Sequence, residues 1–132
     1  IAACLGAELD ETTAAAPRVS GGLPSHYAPL TPLELLDPEP CVARVRALLA
    51  SGERVGLLAP TGTLGLLGVA ERLLAIPAPP APEAYARSLY ASLRELDAGA
   101  CARIIVETPP PGPDWRGVTD RLRRASRAHP AA

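Results

Sequence analysis

Only a few side chains in the sequence have types and positions that could support chemistry. Ser25 and His26 place a hydroxyl beside an imidazole, but neighbours in an extended chain face opposite ways, so they do not form a nucleophile and its base. Glu95 and Asp97 stand two positions apart near the end of a predicted helix and therefore point to different faces. Glu107 ends the most strand-like segment, where open α/β sheets bind ligands. A solvated or helix-capping role is the simpler expectation for this residue.

A glycine-rich segment follows the second predicted strand and invites comparison with a nucleotide-binding loop. Residues 62–68 have the spacing G-x-x-G-x-x-G, whereas a dinucleotide loop needs G-x-G-x-x-G to bring backbone amides onto a pyrophosphate. The next predicted strand also ends without the acidic residue that binds a ribose. We therefore predict a flexible loop here rather than a phosphate site. The arginines of the last predicted helix are expected to form a solvated face rather than a phosphate-binding patch: Arg121, Arg123, Arg124 and Arg127.

The composition excludes several classes of function. The chain of 132 residues carries 13 basic and 14 acidic side chains, has a formal net charge of -1, and contains no lysine. A Walker-type phosphate loop and a Schiff-base lysine are therefore excluded. The balanced charge provides no field to hold a polyanion, so we expect no strong binding to nucleic acid.

Neither the cysteines nor the histidines have the spacing of a metal site. Cys4, Cys41 and Cys101 lie far apart and the chain has only two histidines, so we expect no zinc site and assign the thiols to the core. An odd number of scattered cysteines suits a reducing cytoplasm. The longest apolar segments are shorter than the roughly 20 residues that span a bilayer. These features predict a cytoplasmic protein with no membrane segment.

From residue 33 onward, short apolar segments alternate with helical patterns. We predict strands at residues 33–36, 55–59, 73–77 and 103–107. The clearest helix has an apolar stripe of Tyr85, Leu89, Leu93 and Leu96. Weaker helical patterns follow the first strand and begin near Trp115. This order predicts a small Rossmann-like, three-layer α/β domain with a mostly parallel sheet of about four strands.

The segment before this domain, residues 9–32, has little apolar periodicity and repeated prolines. Proline fixes φ and pushes the preceding residue toward extended geometry, so we predict an extended connector. The chain has one tryptophan, three tyrosines and no phenylalanine. Because aromatic residues are so scarce, Tyr27 within the connector indicates that the connector docks on something.

The connector resembles a segment of a known protein family. Residues 17–29, PRVSGGLPSHYAP, resemble the linker of the two-domain threonylcarbamoyl-AMP synthases, in which a glycine is followed by a His-Tyr-Ala-Pro element. The helical block 85–97, YARSLYASLRELD, the strand and loop 104–110, IIVETPP, and the final helix around residues 115–125 resemble the C-terminal domain of the same family. These blocks occur in the family's order and cover most of residues 17–127.

The resemblance implies a reaction and a division of the chain. A YrdC-like N-terminal domain, which would precede this chain, converts threonine, bicarbonate and ATP to threonylcarbamoyl-AMP and pyrophosphate for tRNA modification. On this alignment residues 1–8 are the tail of that catalytic domain, 9–32 the linker, 33–128 the C-terminal accessory domain and 129–132 a tail. The chain alone is then expected to be inactive as a nucleotidyltransferase. ATP is a substrate whose Mg²⁺ is bound mainly by the N-terminal domain.

The linker can be assigned a physical role as a lid. A carbamate intermediate decomposes in water, so a segment that closes over the pocket would protect it. Prolines reduce the entropy lost on docking, while Gly21 and Gly22 allow bending. The resemblance implies that Tyr27, with His26 and Ser25, contacts ATP. Many relatives carry a larger residue at the position of Gly22.

The sequence leaves two alternatives open. Tyr27 could instead be a packing anchor that holds the linker to its domain. The whole chain could also be a free-standing, non-catalytic module of the same fold that binds a ligand or another protein.

Overall fold

The computed structural model of the protein describes residues 29–127. Strands and helices alternate along this part of the chain. The elements are β1 (Leu33–Leu36), α1 (Pro38–Ala50), β2 (Val55–Ala59), α2 (Thr61–Leu67), β3 (Leu73–Pro77), α3 (Pro82–Ala98), β4 (Arg103–Glu107) and α4 (Arg116–Arg127), the last preceded by a short 3₁₀ turn at Pro113–Trp115.

The four strands form one parallel sheet in the order β1-β4-β2-β3. Ile104 of β4 lies in register with Leu33 of β1 on one side and with Gly56 of β2 on the other. Every residue of β2 is buried, as expected for a parallel strand covered on both faces. The predicted α/β class and the predicted parallel four-stranded sheet are confirmed.

Side chains that alternate along the central strands build two cores. Leu58, Ile104 and Val106 pack with α3 and α4 on one face of the sheet. Val55, Leu57 and Ile105 pack with α1 on the other face, against which Leu64 and Leu67 of α2 also lie. The period of two along a strand therefore divides the apolar residues between the two outer layers.

The connections explain which helices share a face. The crossovers β1-α1-β2 and β2-α2-β3 move across the sheet in one direction and place their helices on the same face. The crossover β3-α3-β4 returns in the opposite direction and places α3 on the other face. A constant right-handed crossover requires this change of face when the direction reverses.

The predicted stripe of α3 forms the centre of one core. Tyr85, Leu89, Leu93 and Leu96 are all buried. Pro82 occupies the start of the helix, where its missing amide is not needed. The backbone then passes close to β3 at Gly99, where a Cβ atom would lie 2.5 Å from Leu74 Cδ2.

Our prediction of a flexible loop at residues 62–68 is wrong, because residues 61–67 form α2. Gly62 and Gly65 each disfavour a helix by about 1 kcal/mol relative to alanine. Packing of Leu64 and Leu67 against the core offsets this penalty. The helix ends at Gly68, whose φ of 73° is open to glycine at little steric cost.

A bilayer-crossing helix is absent from the described part of the chain: none between residues 29 and 127 is both long and apolar enough.

Candidate functional site

The residues that we predicted for the lid and its hinge lie outside the described residues. They are Ser25, His26, Tyr27, Gly21 and Gly22. The structure does describe the last part of the connector, from Pro29 to the start of β1. This part shows where the connector joins the domain.

The connector is held at the end of α3 by Asp97. The Asp97 carboxylate accepts hydrogen bonds from the backbone amides of Leu30, at 3.1 Å, and Thr31, at 2.9 Å, and from the Thr31 hydroxyl, at 2.7 Å. Pro29 is fully buried beside this anchor, whereas the Leu30 side chain is 86% exposed. Because α3 runs antiparallel to the strands, its C-terminal end lies beside the N-terminal ends of the strands, which we call the amino edge of the sheet. The connector therefore enters the domain at that edge.

A cavity of about 510 Å³ opens at the opposite, carboxyl edge of the sheet. Residues that follow each of the four strands line it. Half of the 14 lining residues within the described range 29–127 are prolines, among them Pro38, Pro60, Pro79 and Pro109. The connection after β4 leaves toward the α3 face, whereas those after its neighbours β1 and β2 leave toward the other face. Ligand crevices of open α/β sheets form where neighbouring connections diverge in this way.

Glu107, the last residue of β4, lies in the wall of this cavity. Its side chain is buried, with 9% exposure, and it accepts a hydrogen bond from the Thr63 hydroxyl of α2. The expectation of a solvated or helix-capping glutamate is therefore wrong. A buried carboxyl group with one hydroxyl partner therefore lies at the centre of the carboxyl edge.

Tyr85 of α3 lines the cavity beside Glu107. Its side chain is 4% exposed, and its hydroxyl has no hydrogen-bond partner among residues 29–127. Burial, and then the nearby charge of Glu107, raise the pKa of the Tyr85 phenol well above its ordinary value. The ring meets Trp115 edge to face, with 5.5 Å between the ring centroids. Tyr85 is thus a neutral donor at the cavity wall.

A hydrogen-bonded latch joins the loops after β1 and β4 at the rim. The Thr108 amide donates to the Leu36 carbonyl at 2.8 Å, and the Thr108 hydroxyl donates to the Asp37 carboxylate at 2.6 Å. Asp37 is exposed and lines the cavity as a second acidic residue. The latch and the surrounding prolines hold the rim in a defined shape.

The cysteines of the described region are structural, as predicted. Cys41 and Cys101 are buried free thiols. Burial, with a smaller effect of Glu107, raises the pKa of the Cys41 thiol to about 12. A thiol that stays protonated at neutral pH is not a nucleophile.

The lining of the cavity is suited to binding a small organic molecule. Between residues 29 and 127, no three His, Cys, Asp or Glu side chains are grouped to hold a metal ion. The two carboxyl groups of the cavity are Asp37, at the rim, and the buried Glu107, and none of the described lining residues is basic. The apolar wall would bury the body of an organic molecule, while the carboxyl and hydroxyl groups would orient its polar end.

The sequence pattern did not reveal two of the residues that shape these sites. The apolar stripe indicates that Tyr85 is a core residue of α3. That its hydroxyl has no partner among residues 29–127 depends on neighbours brought close by the fold. The sequence pairs Asp97 with Glu95 on α3, whereas its hydrogen-bond partners Leu30 and Thr31 come from the connector. The only local signal was that Asp97 lies at a helix end.

Comparisons with known proteins agree with the resemblance found in the sequence. The family model described as threonylcarbamoyl-AMP synthase, C-terminal domain, matches residues 1–127. No curated protein sequence matches the chain. Among solved structures, the chain is similar to the crystal structure of P. abyssi Sua5 complexed with L-threonine, with a TM-score of 0.64 and 21% sequence identity.

The structural match covers 79% of this chain and 30% of the P. abyssi chain. At this identity the similarity shows the fold, and the fold agrees with the family match. With residues 1–127 covered by the family model, the chain belongs to the family of threonylcarbamoyl-AMP synthase C-terminal domains.

Proposed function

We propose that this chain serves as the C-terminal portion of an L-threonylcarbamoyladenylate synthase, which makes threonylcarbamoyl-AMP and pyrophosphate from threonine, bicarbonate and ATP. The family match, which includes the connector as well as the domain, supports this assignment. In this proposal the chemistry belongs to an N-terminal catalytic domain, and residues 9–32 act as a lid over its pocket. The α/β domain that begins near residue 33 is the accessory module that holds the lid.

The Asp97 anchor is the observation that carries the lid role. Three hydrogen bonds to one carboxylate fix the connector at Leu30 and Thr31. A chain fixed at one end explores a smaller volume, so the other residues of the lid spend more time near their docking site. The anchor therefore reduces the conformational entropy that the lid loses when it closes.

The anchor also limits where the catalytic pocket can lie. Tyr27 precedes Leu30 by three residues, and an extended chain spans at most about 3.6 Å per residue, so their Cα atoms are no more than about 11 Å apart. If Tyr27 contacts ATP, the nucleotide must be bound next to the amino edge of the sheet, near the end of α3. His26 and Ser25 would reach the same nucleotide from the adjoining positions.

The described domain contributes no binding group for the nucleotide in this proposal. ATP and its Mg²⁺ would be held mainly by the catalytic domain, and threonine and bicarbonate by the same pocket. The domain described here would act through the position of its connector. The extension of the family match over residues 9–32 supports a positioning role of this kind.

A reconstitution experiment tests the proposal. Pyrophosphate release from ATP, threonine and bicarbonate is measured for the 132-residue chain and for the same chain fused to a YrdC-like catalytic domain. The chain alone should be inactive and the fusion active. Activity of the chain alone would contradict the division of labour. A folded but inactive fusion would favour the alternative of a free-standing module.

A further inference from the structure

The cavity at the carboxyl edge takes no part in the proposed lid function. The connector enters the domain at the amino edge, where Asp97 anchors it, whereas the cavity opens beyond the opposite ends of the strands. The cavity nevertheless combines features that a simple packing defect lacks. It is large, and its rim is held by the Thr108 latch. Its lining residues include the buried carboxyl group of Glu107 and Tyr85, whose buried hydroxyl has no partner among residues 29–127.

Both charged side chains among the described lining residues are acidic, which disfavours anionic ligands. Asp37 and Glu107 line the cavity, and no arginine is among the described residues that do so. A phosphate or carboxylate ligand would have to approach two acidic side chains without a compensating cation, which opposes its binding. The Thr63 hydroxyl donates to one Glu107 oxygen, Oε1, and within residues 29–127 no donor contacts Oε2. A positively charged donor complements this arrangement.

The rest of the wall suits an apolar or aromatic body. The prolines and Ala78 provide rigid apolar surface, and Trp115 adds an aromatic ring. An organic cation gains from contact with an aromatic face as well as from the carboxylate. Tyr85 lines the same wall, and its buried hydroxyl, which has no hydrogen-bond partner among residues 29–127, is a second polar group near Glu107.

We propose that the cavity formed by the loops after the four strands binds a small organic cation, an amine or amidinium carried on an apolar or aromatic body. Glu107 binds the cationic group through a charge-assisted hydrogen bond, Tyr85 adds a second polar contact, and the proline rim with Trp115 covers the body. The site belongs to the accessory domain itself and operates whether or not a catalytic domain is attached.

Three probes of nearly the same shape test the charge requirement. Benzylammonium, benzyl alcohol and benzoate are titrated into the 132-residue chain and followed by ¹H–¹⁵N NMR. Benzylammonium should bind at least about tenfold more tightly than either other probe, since a hydrogen bond to a charged group contributes more than a neutral one. The shifted resonances should be the amides of Glu107 and Thr108 and the Trp115 indole. Equal or tighter binding of benzyl alcohol or benzoate, shifts that map elsewhere, or no binding of benzylammonium at millimolar concentration would overturn the proposal.

Variants then identify the groups that bind the cation. Glu107→Gln keeps an acceptor for Thr63 but removes the charge, so it should abolish the preference for benzylammonium over benzyl alcohol. Tyr85→Phe should weaken binding of benzylammonium several-fold. Glu71→Gln is the matched control, because Glu71 is exposed and precedes β3 at the other edge of the sheet; it should bind all three probes as the unaltered chain does. Unchanged selectivity in a folded Glu107→Gln chain would refute the role of the carboxylate, and if that variant does not fold, the three-probe comparison on the unaltered chain decides.

Discussion

The Thr31 hydroxyl and the Asp97 carboxylate are joined by a 2.7 Å hydrogen bond across 66 positions of the sequence. The same carboxylate accepts hydrogen bonds from the backbone amides of Leu30 and Thr31. This contact connects the last turn of α3 to the end of the connector. It determines the point at which the connector leaves the domain.

Removing this carboxylate should release the connector. We expect Asp97→Ala to lower the free energy of unfolding of the 132-residue chain by about 1–3 kcal/mol, because the amides and the hydroxyl lose a charged acceptor. In a complete, active synthase the same change should also reduce pyrophosphate release. Urea denaturation and the release assay measure the two effects.

Glu95→Ala is the matched control for this prediction. Glu95 lies two residues earlier on α3 and is exposed. Glu95→Ala should leave both stability and activity nearly unchanged. An Asp97→Ala variant that behaves like Glu95→Ala would show that the anchor contributes neither to stability nor to pyrophosphate release.

Substitutions of Thr63 and Glu107 should have strongly coupled effects on the free energy of unfolding. Thr63→Val removes the hydroxyl and leaves the buried Glu107 carboxyl without its partner, so we expect a loss of about 1–3 kcal/mol in the free energy of unfolding. Because the two residues share one interaction, the double variant with Glu107→Leu, which removes the acceptor, should lose less than the sum of the single variants. Chemical denaturation of all four chains gives the coupling energy.

Thr61→Val provides the comparison, since Thr61 is exposed and also lines the cavity. It should change stability by less than about 0.5 kcal/mol, as is usual at the surface. Strict additivity of Thr63→Val and Glu107→Leu would contradict the pairing seen in the structure.

The fold was predictable to the extent that it depends on local periodicity. The stripe from Tyr85 to Leu96 has the spacing of one helix face, and all four of its members are buried. The fully apolar β2 pattern likewise indicated a strand covered on both sides. Such patterns carry the information because a single element has to bury its own apolar face.

Contacts between distant segments were not predictable in the same way. Glu107 meets Thr63 across 44 positions, and the encounter depends on β4 lying beside β2 in the sheet. The helix α2 was missed for a related reason, since its glycines favour a loop and only packing against the core makes it helical. Glycine content and local spacing contain no information about that packing.

Cys41 should make stability depend on pH in the alkaline range. Its thiol has a pKa raised from 9.0 to about 12, chiefly by burial. The unfolded chain therefore loses this proton at a lower pH than the folded chain. The contribution is fully present below pH 9.0 and is lost as pH rises toward about 12.

Comparison of the unaltered chain with Cys41→Ala isolates this effect from Tyr85 and Cys101, whose raised pKa values act in the same direction. Urea denaturation at neutral pH and at about pH 10.5 should show a larger loss for the unaltered chain. Equal losses in both chains would mean that the Cys41 thiol ionises equally in the folded and unfolded states.

The proposed contact of Tyr27 with ATP can be separated from a packing role by kinetics. In a complete synthase, Tyr27→Ala should raise the KM for ATP, because the lid loses an aromatic ring and a hydroxyl that contact the nucleotide. The melting temperature of the C-terminal domain should stay nearly unchanged. Leu30→Ala is the matched control, since the Leu30 side chain is 86% exposed and its backbone amide can still donate to Asp97. A large drop in melting temperature with an unaltered KM would instead identify Tyr27 as the packing anchor of the connector.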